Sequence, residues 1–111
     1  MTYRYFSEDE VKGMSTKLVS LLDSAREVAG IPFIINSGLR TPDKNKAVNG
    51  SPTSSHLTGL AVDLKVKNSR ERYIIVEALL KVGIKRIGIY ARHIHADIDY
   101  NKPTPSIWLG S

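Results

Sequence analysis

Leu60-Ala61-Val62-Asp63-Leu64-Lys65-Val66 alternates between two kinds of side chain. In an extended chain Leu60, Val62, Leu64 and Val66 share one face, and Ala61, Asp63 and Lys65 share the other. The alternation returns at His93-Ile94-His95-Ala96-Asp97-Ile98-Asp99-Tyr100, where Ile94, Ala96, Ile98 and Tyr100 stand opposite His93, His95, Asp97 and Asp99. Two strands patterned this way predict a sheet with a core face and a site face. Laid beside each other, they bring Asp63 and His95 together.

Just before the first of these strands lies Ser54-Ser55-His56-Leu57-Thr58-Gly59, a loop that can carry His56 to the same place. His56, His93 and His95 are all the histidines in the chain. Imidazole is the commonest protein metal ligand and titrates nearest neutral pH. His56, Asp63 and His95 supply three of the four ligands of a tetrahedral zinc and leave one position open, the pattern of catalytic sites. The small residues Gly59 and Ala61 leave room for a metal or a substrate to approach the backbone. His93 lies two positions from His95 on the same face, close to such a metal without having to bind it. Asp97 and Asp99 continue that face, and one of them, Asp97 or Asp99, is placed to hold a ligand imidazole in its metal-binding tautomer. A strand bearing two His and two Asp is also what a solvated face looks like, and spacing alone leaves both readings open.

Ser7-Glu8-Asp9-Glu10 has the form of a capping box. Val11, Met14, Leu18, Leu21, Leu22, Ala25 and Val28 follow at helical spacing, and Gly30 and Pro32 end the run. Pro32 to Asn36 reads as a short strand, and Thr41-Pro42-Asp43 as the start of a short helix reaching Val48. A second helix is predicted from about Ser69 to Val82, with Asn68 and Glu71 as its capping pair and Gly83 closing it. Arg86 to Tyr90 reads as a strand. The tail Pro103-Thr104-Pro105 reads as irregular, with Trp108 docking it on the body. The order predicts an α+β domain, a mostly antiparallel sheet packed on helices.

At 111 residues the chain is read as a single domain over 1–111, large enough for one core without staples. It has no cysteine, which excludes thiolate metal sites and thiol nucleophiles. No run reaches the length of a membrane span, and the start lacks the apolar region of a signal peptide. The net charge of +5 is spread along the chain and suits solubility or an anionic polymer such as a bacterial wall. Lys and Arg form no single stripe, and with 7% aromatic residues no base-stacking surface is indicated, so nucleic acid is not an expected partner.

Ser54-x-His56-x-x-Gly59-x-Ala61-x-Asp63 closely resembles the motif of the zinc D-alanyl-D-alanine carboxypeptidase family. That family includes vancomycin-resistance D,D-dipeptidases and phage L-alanyl-D-glutamate endopeptidases, and shares its fold with the Hedgehog domain. Ser37-Gly38-Leu39-Arg40-Thr41-Pro42 looks like the family's Ser-Gly-Tyr-Arg-Ser segment, and His93-Ile94-His95 resembles its His-x-His element. The resemblance runs from about Ile34 to Asp99. It implies a Hedgehog/DD-peptidase-like fold and one zinc ion on His56, Asp63 and His95. It implies that Arg40 binds the scissile carbonyl oxygen or the oxyanion formed from it, that Ser54 binds substrate or orients the site, and that His93 transfers a proton or stabilises the transition state. The expected partners are peptidoglycan peptides, attacked by zinc-activated water, and the expected state is a monomer. The expected location is the bacterial wall, reached from the cytoplasm on release if the chain is a phage or prophage lysin.

Relatives carry the general base as Glu or Asp three residues before the last zinc histidine, where this chain has Arg92. Hedgehog domains carry a Glu four residues before the first histidine of His-x-His, where this chain has Ile89. The tyrosine of Ser-Gly-Tyr-Arg is Leu39. His93, Asp97 or a carboxylate from elsewhere must then serve as base. If none does, a catalytically weak or inactive zinc-stabilised binding module of the same fold is the alternative. Two His and one carboxylate also describe the facial triad of non-haem iron oxygenases, which need a larger jelly-roll than this strand count supplies.

Overall fold

A computed structural model describes residues 2–38 and 54–110 of the chain. The helix expected from Thr41 to Val48 lies outside the described residues. The two alternating segments form β2 (Ala61–Lys65) and β4 (His93–Asp97), antiparallel neighbours at the centre of a five-stranded sheet. β1 (Ile35–Ser37) flanks β2, and β3 (Arg86–Ile89) flanks β4, both antiparallel. β5 (Ser106–Leu109) completes the order β1-β2-β4-β3-β5 and runs parallel to β3. The α+β class and the mostly antiparallel sheet stand as read from the sequence.

Two helices cover the apolar face. α1 (Thr16–Ala29) and α2 (Ser69–Lys81) bury Leu18, Leu22, Ile75 and Leu79 in one cluster with Val62, Leu64, Ile87 and Ile94 of the strands. Burying each such side chain contributes roughly 1.5–3 kcal/mol. α2 has the expected cap: Asn68 Oδ1 accepts from the Glu71 amide at 2.9 Å. The Glu71 carboxylate reaches one residue further out and accepts from the Lys67 amide at 3.2 Å.

The start of α1 differs from the sequence reading. The capping box at Ser7 forms, with the Ser7 amide donating to Glu10 Oε1 at 3.0 Å and the Glu10 amide to Ser7 Oγ at 3.2 Å. It closes only a series of turns, because Gly13 adopts φ +78° and breaks the helical path. The helix restarts on Ser15, whose hydroxyl accepts from the Leu18 amide. Val11 and Met14 are buried all the same, so their apolar spacing reports burial rather than helix.

The tail also differs. Pro103-Thr104-Pro105 is irregular as expected, but residues 106–109 beyond it form a strand that the sequence reading did not include. The Ser106 amide donates to the Lys85 carbonyl and the Gly110 amide to the Ile89 carbonyl, each at 2.8 Å. The open edge of β3 thus captures a stretch too short to show its own alternation. Ile107 and Leu109, on the outer strand, remain exposed.

Candidate active site and metal centre

Strand register builds the site in rows. Residues directly opposite one another on neighbouring strands share a face. The central row runs Ser37, Asp63, His95, Gly88, Trp108 across all five strands. The β1–β2 register shifts between Ile35 and Ser37, which places Ser37 beside Asp63. Ala61, Asp97, Arg86 and Ser106 make the row on one side. On the other side Lys65 faces His93, and the same register carried one step further sets Tyr90 beside His93 and Gly110 beside Tyr90.

His56 enters from a 3₁₀ turn (Ser55–Thr58) that precedes β2. Ser54 caps this turn, its hydroxyl accepting from the His56 amide at 3.2 Å. The turn is fastened on two sides. Gly59, at φ +74°, accepts on its carbonyl oxygen from the Ser15 amide at 2.8 Å, and a Cβ added there would lie 2.4 Å from the Gly13 carbonyl oxygen. The approach that Gly59 permits is therefore that of the segment leading into α1, not of a metal or substrate. On the other side Ser55 donates to Asp99 Oδ2 and accepts from Lys102 Nζ, both at 2.8 Å. Asp99 thus holds the turn and no imidazole.

The side chains converge on one oxygen. Asp63 Oδ1 lies 3.4 Å from His56 Nε2 and 3.1 Å from His95 Nδ1. His93 Nε2 lies 3.9 Å from the same oxygen. One ligand atom from each of His56, Asp63 and His95 falls within 4.8 Å of the others, so these three could hold a metal ion. With zinc–ligand bonds of about 2.0–2.1 Å, the edge of a tetrahedral site is about 3.3 Å, which the two measured separations straddle. The far nitrogens are already engaged. His56 Nδ1 lies 2.8 Å from the Gly38 carbonyl oxygen and His95 Nε2 lies 2.7 Å from Asp97 Oδ2. As donors, these nitrogens leave His56 Nε2 and His95 Nδ1 with lone pairs turned inward.

Asp97 is held from both sides. Its Oδ2 meets His95, while its Oδ1 accepts from Arg86 Nε at 2.7 Å and from the Asp99 amide at 3.1 Å. Asp97 is 1% exposed and Arg86 8%, so this is a buried ion pair. The Arg86 guanidinium lies 4.9 Å from the centre of the Trp108 ring, and its Nη1 donates to the Pro103 carbonyl.

These contacts shift the titrations. Burial alone would push the Asp63 carboxyl up, but His56 and His95 outweigh it and hold that group well below the usual carboxylate range. Burial would lower His95, yet Asp63 and Asp97 carry it above the ordinary imidazole value. Asp97 is likewise lowered against its burial, chiefly by His95, with help from the Asp99 amide and Arg86.

Of the residues singled out in the sequence, His56, Asp63, His93, His95 and Asp97 come together, and Ser54 supports them. Arg40 and Leu39 lie outside the described residues. Arg92 is exposed in the turn between β3 and β4, and its carbonyl accepts from the Val66 amide at 2.9 Å. Arg86, Tyr90, Ser55 and the role of Trp108 were not foreseen. Gly88 was the available signal: a glycine inside a strand marks close approach, and a Cβ there would meet the Trp108 indole at 2.6 Å.

A family model described as Peptidase M15 matches residues 5–99. Among solved structures the chain is similar to the L-Ala D-Glu endopeptidase ChiX of Serratia marcescens, with 21% identity and a TM-score of 0.66 over 86% of this chain and 87% of that one. At that identity the likeness speaks for the fold. A search of curated proteins finds no match.

Proposed function

This chain belongs to the peptidase M15 family, and we propose that it is a zinc-dependent peptidase that hydrolyses peptidoglycan stem or cross-link peptides. The observation that carries the reading is the meeting of His56 Nε2, His95 Nδ1 and Asp63 Oδ1 at zinc-like separations. M15 peptidases are metallopeptidases, and these three residues are the proposed ligands for one zinc ion. Zinc in that position supplies Lewis acidity, polarising the scissile carbonyl and making water a nucleophile at neutral pH. The peptidoglycan substrate is supported by the structural relative, which is an L-Ala D-Glu endopeptidase. No helix among the described residues is long and apolar enough to cross a membrane, and the proposed site of action is the bacterial wall.

The chain's own groups divide the remaining work. Asp97 holds His95 by Nε2 and keeps Nδ1 turned toward Asp63, where it would be available to a metal. Both Asp97 oxygens are occupied, which disfavours it as the base. His93 stands beside Asp63 with Nε2 directed toward the same oxygen, and it is the proposed proton-transfer group in place of the carboxylate that Arg92 replaces. Arg40 is proposed to bind the carbonyl oxygen as charge develops on it.

Mass spectrometry of peptidoglycan fragments after incubation, with and without EDTA, tests the reading. New peptide termini, abolished by EDTA and restored by zinc, are expected, and their identity reports carboxypeptidase or endopeptidase action. Intact wall after treatment with stoichiometrically zinc-loaded protein would sink it. The position of Arg92 favours a second reading, a zinc-stabilised binding module of the same fold. Wall sedimentation with retained protein and no new termini would support that one instead.

A further inference from the structure

β5 reaches the site through Trp108, which touches Tyr90 just past the end of β3. The Tyr90 ring stacks on the His93 imidazole at 4.3 Å between centroids and 13° between planes. The Tyr90 hydroxyl accepts from the Trp108 indole nitrogen at 3.3 Å. The Trp108 ring lies above the backbone of Gly88, 5.4 Å from the His95 ring and beneath the Arg86 guanidinium. Two glycines make the arrangement possible. A Cβ at Gly88 would strike the indole at 2.6 Å, and a Cβ at Gly110 would strike the Tyr90 ring at 1.8 Å. Both are paired with the residue they accommodate, one on β3 and one just past the end of β5.

We propose that Tyr90 and Trp108 are positioning residues for the His93 imidazole, and that β5 is thereby part of the catalytic apparatus rather than an edge that merely closes the sheet. The inference rests on the peptidase reading above in giving His93 a role in hydrolysis. Stacking restrains the plane of the imidazole, and the indole hydrogen bond restrains the tyrosine that stacks on it. A general acid or base contributes only when held within hydrogen-bond reach of its proton. Loose rotation of His93 about χ1 and χ2 therefore lowers turnover and leaves ground-state binding almost untouched.

The test uses the zinc-loaded full chain. At one fixed pH, NMR of the His93 ring protons reads the stack directly, since a tyrosine face at 4.3 Å moves them upfield. Tyr90→Leu is expected to abolish that shift and to lower kcat about tenfold, with KM changed less than twofold. Tyr90→Phe, which keeps the stacking ring and loses the indole hydrogen bond, is expected to keep part of the shift and a kcat between those of the native protein and Tyr90→Leu. Gly110→Ala is expected to displace the tyrosine and resemble Tyr90→Leu. Unchanged His93 resonances in a folded Tyr90→Leu protein would overturn the proposal, as would a loss of kcat that Tyr90→Phe fails to rescue. If the native protein hydrolyses nothing, the peptidase reading fails while the ring protons still decide whether Tyr90 orients His93.

Discussion

Asp97 shows how much a single buried carboxylate can be asked to do. It neutralises Arg86, orients His95 and receives the Asp99 amide, all from a position 1% exposed. Asp97→Ala leaves a buried guanidinium without its partner, which costs about 3–5 kcal/mol. It also frees the imidazole of His95, the proposed ligand, and loss of such a partner typically weakens metal binding about 10–100-fold. Urea unfolding of the metal-free protein and a competitive zinc titration measure the two effects separately. The titration shifts give a pH window. His95 is raised in the folded state, so its contribution is complete below about pH 6.5 and is lost as pH rises through its raised value. Asp63 and Asp97 are lowered, so theirs is present above about pH 4 and is lost as pH falls through their low folded values. The metal-free protein is expected to be most stable between about pH 4 and 6.5, with zinc affinity still climbing above that window as His95 sheds its proton. Thermal melts from pH 3 to 9, with and without zinc, check both. At this scale the sequence was legible where alternation and the motif coincide, as at Asp63 and His95. It was mute about Arg86, because an arginine on a short strand carries no sign that its charge is spent on a carboxylate directly opposite it on the neighbouring strand.

Elements here are placed by glycines as much as by apolar faces. The 3₁₀ turn that delivers His56 is fastened to the segment before α1 through Gly59 and Gly13. Gly59→Ala meets two obstacles at once, a left-handed backbone worth about 1–2 kcal/mol and a Gly13 carbonyl 2.4 Å away. Gly30→Ala at the end of α1, also at positive φ but with open space around it, meets only the first. Gly59→Ala is therefore expected to destabilise clearly more than Gly30→Ala and, unlike it, to weaken zinc binding as the turn shifts. Paired denaturation curves and zinc titrations decide this. The sequence reading found both helices, α2 with its cap and α1 with its C-terminal stop. It began α1 too early because Val11 and Met14 keep helical spacing while packing from turns. It missed β5 because a strand that exists by pairing with an open edge needs no alternation of its own.

The whole molecule puts its apolar core and its candidate site on the two faces of one sheet. Leu18, Leu22, Leu64, Ile75, Leu79 and Ile94 are fully buried on the helix-covered face, while Asp63 and His95, with the other proposed ligand His56, stand on the other. The core cluster contains none of the proposed ligands. Zinc removal is thus expected to lower Tm without abolishing a single cooperative transition. At free zinc 100-fold above Kd the linkage is about 2.7 kcal/mol, a shift on the order of 10 °C for a domain of this size. Calorimetry in EDTA and in zinc measures it; a non-cooperative melt without metal would contradict the separation.

Trp108 is the only tryptophan in the chain, and its ring lies 5.4 Å from that of His95. All indole emission from this protein therefore originates beside one proposed ligand. A protonated imidazole quenches a neighbouring indole, and a metal ion takes the proton's place. Fluorescence of the unlabelled protein is then an optical gauge of what His95 holds, able to follow zinc arrival and departure in real time without any added dye.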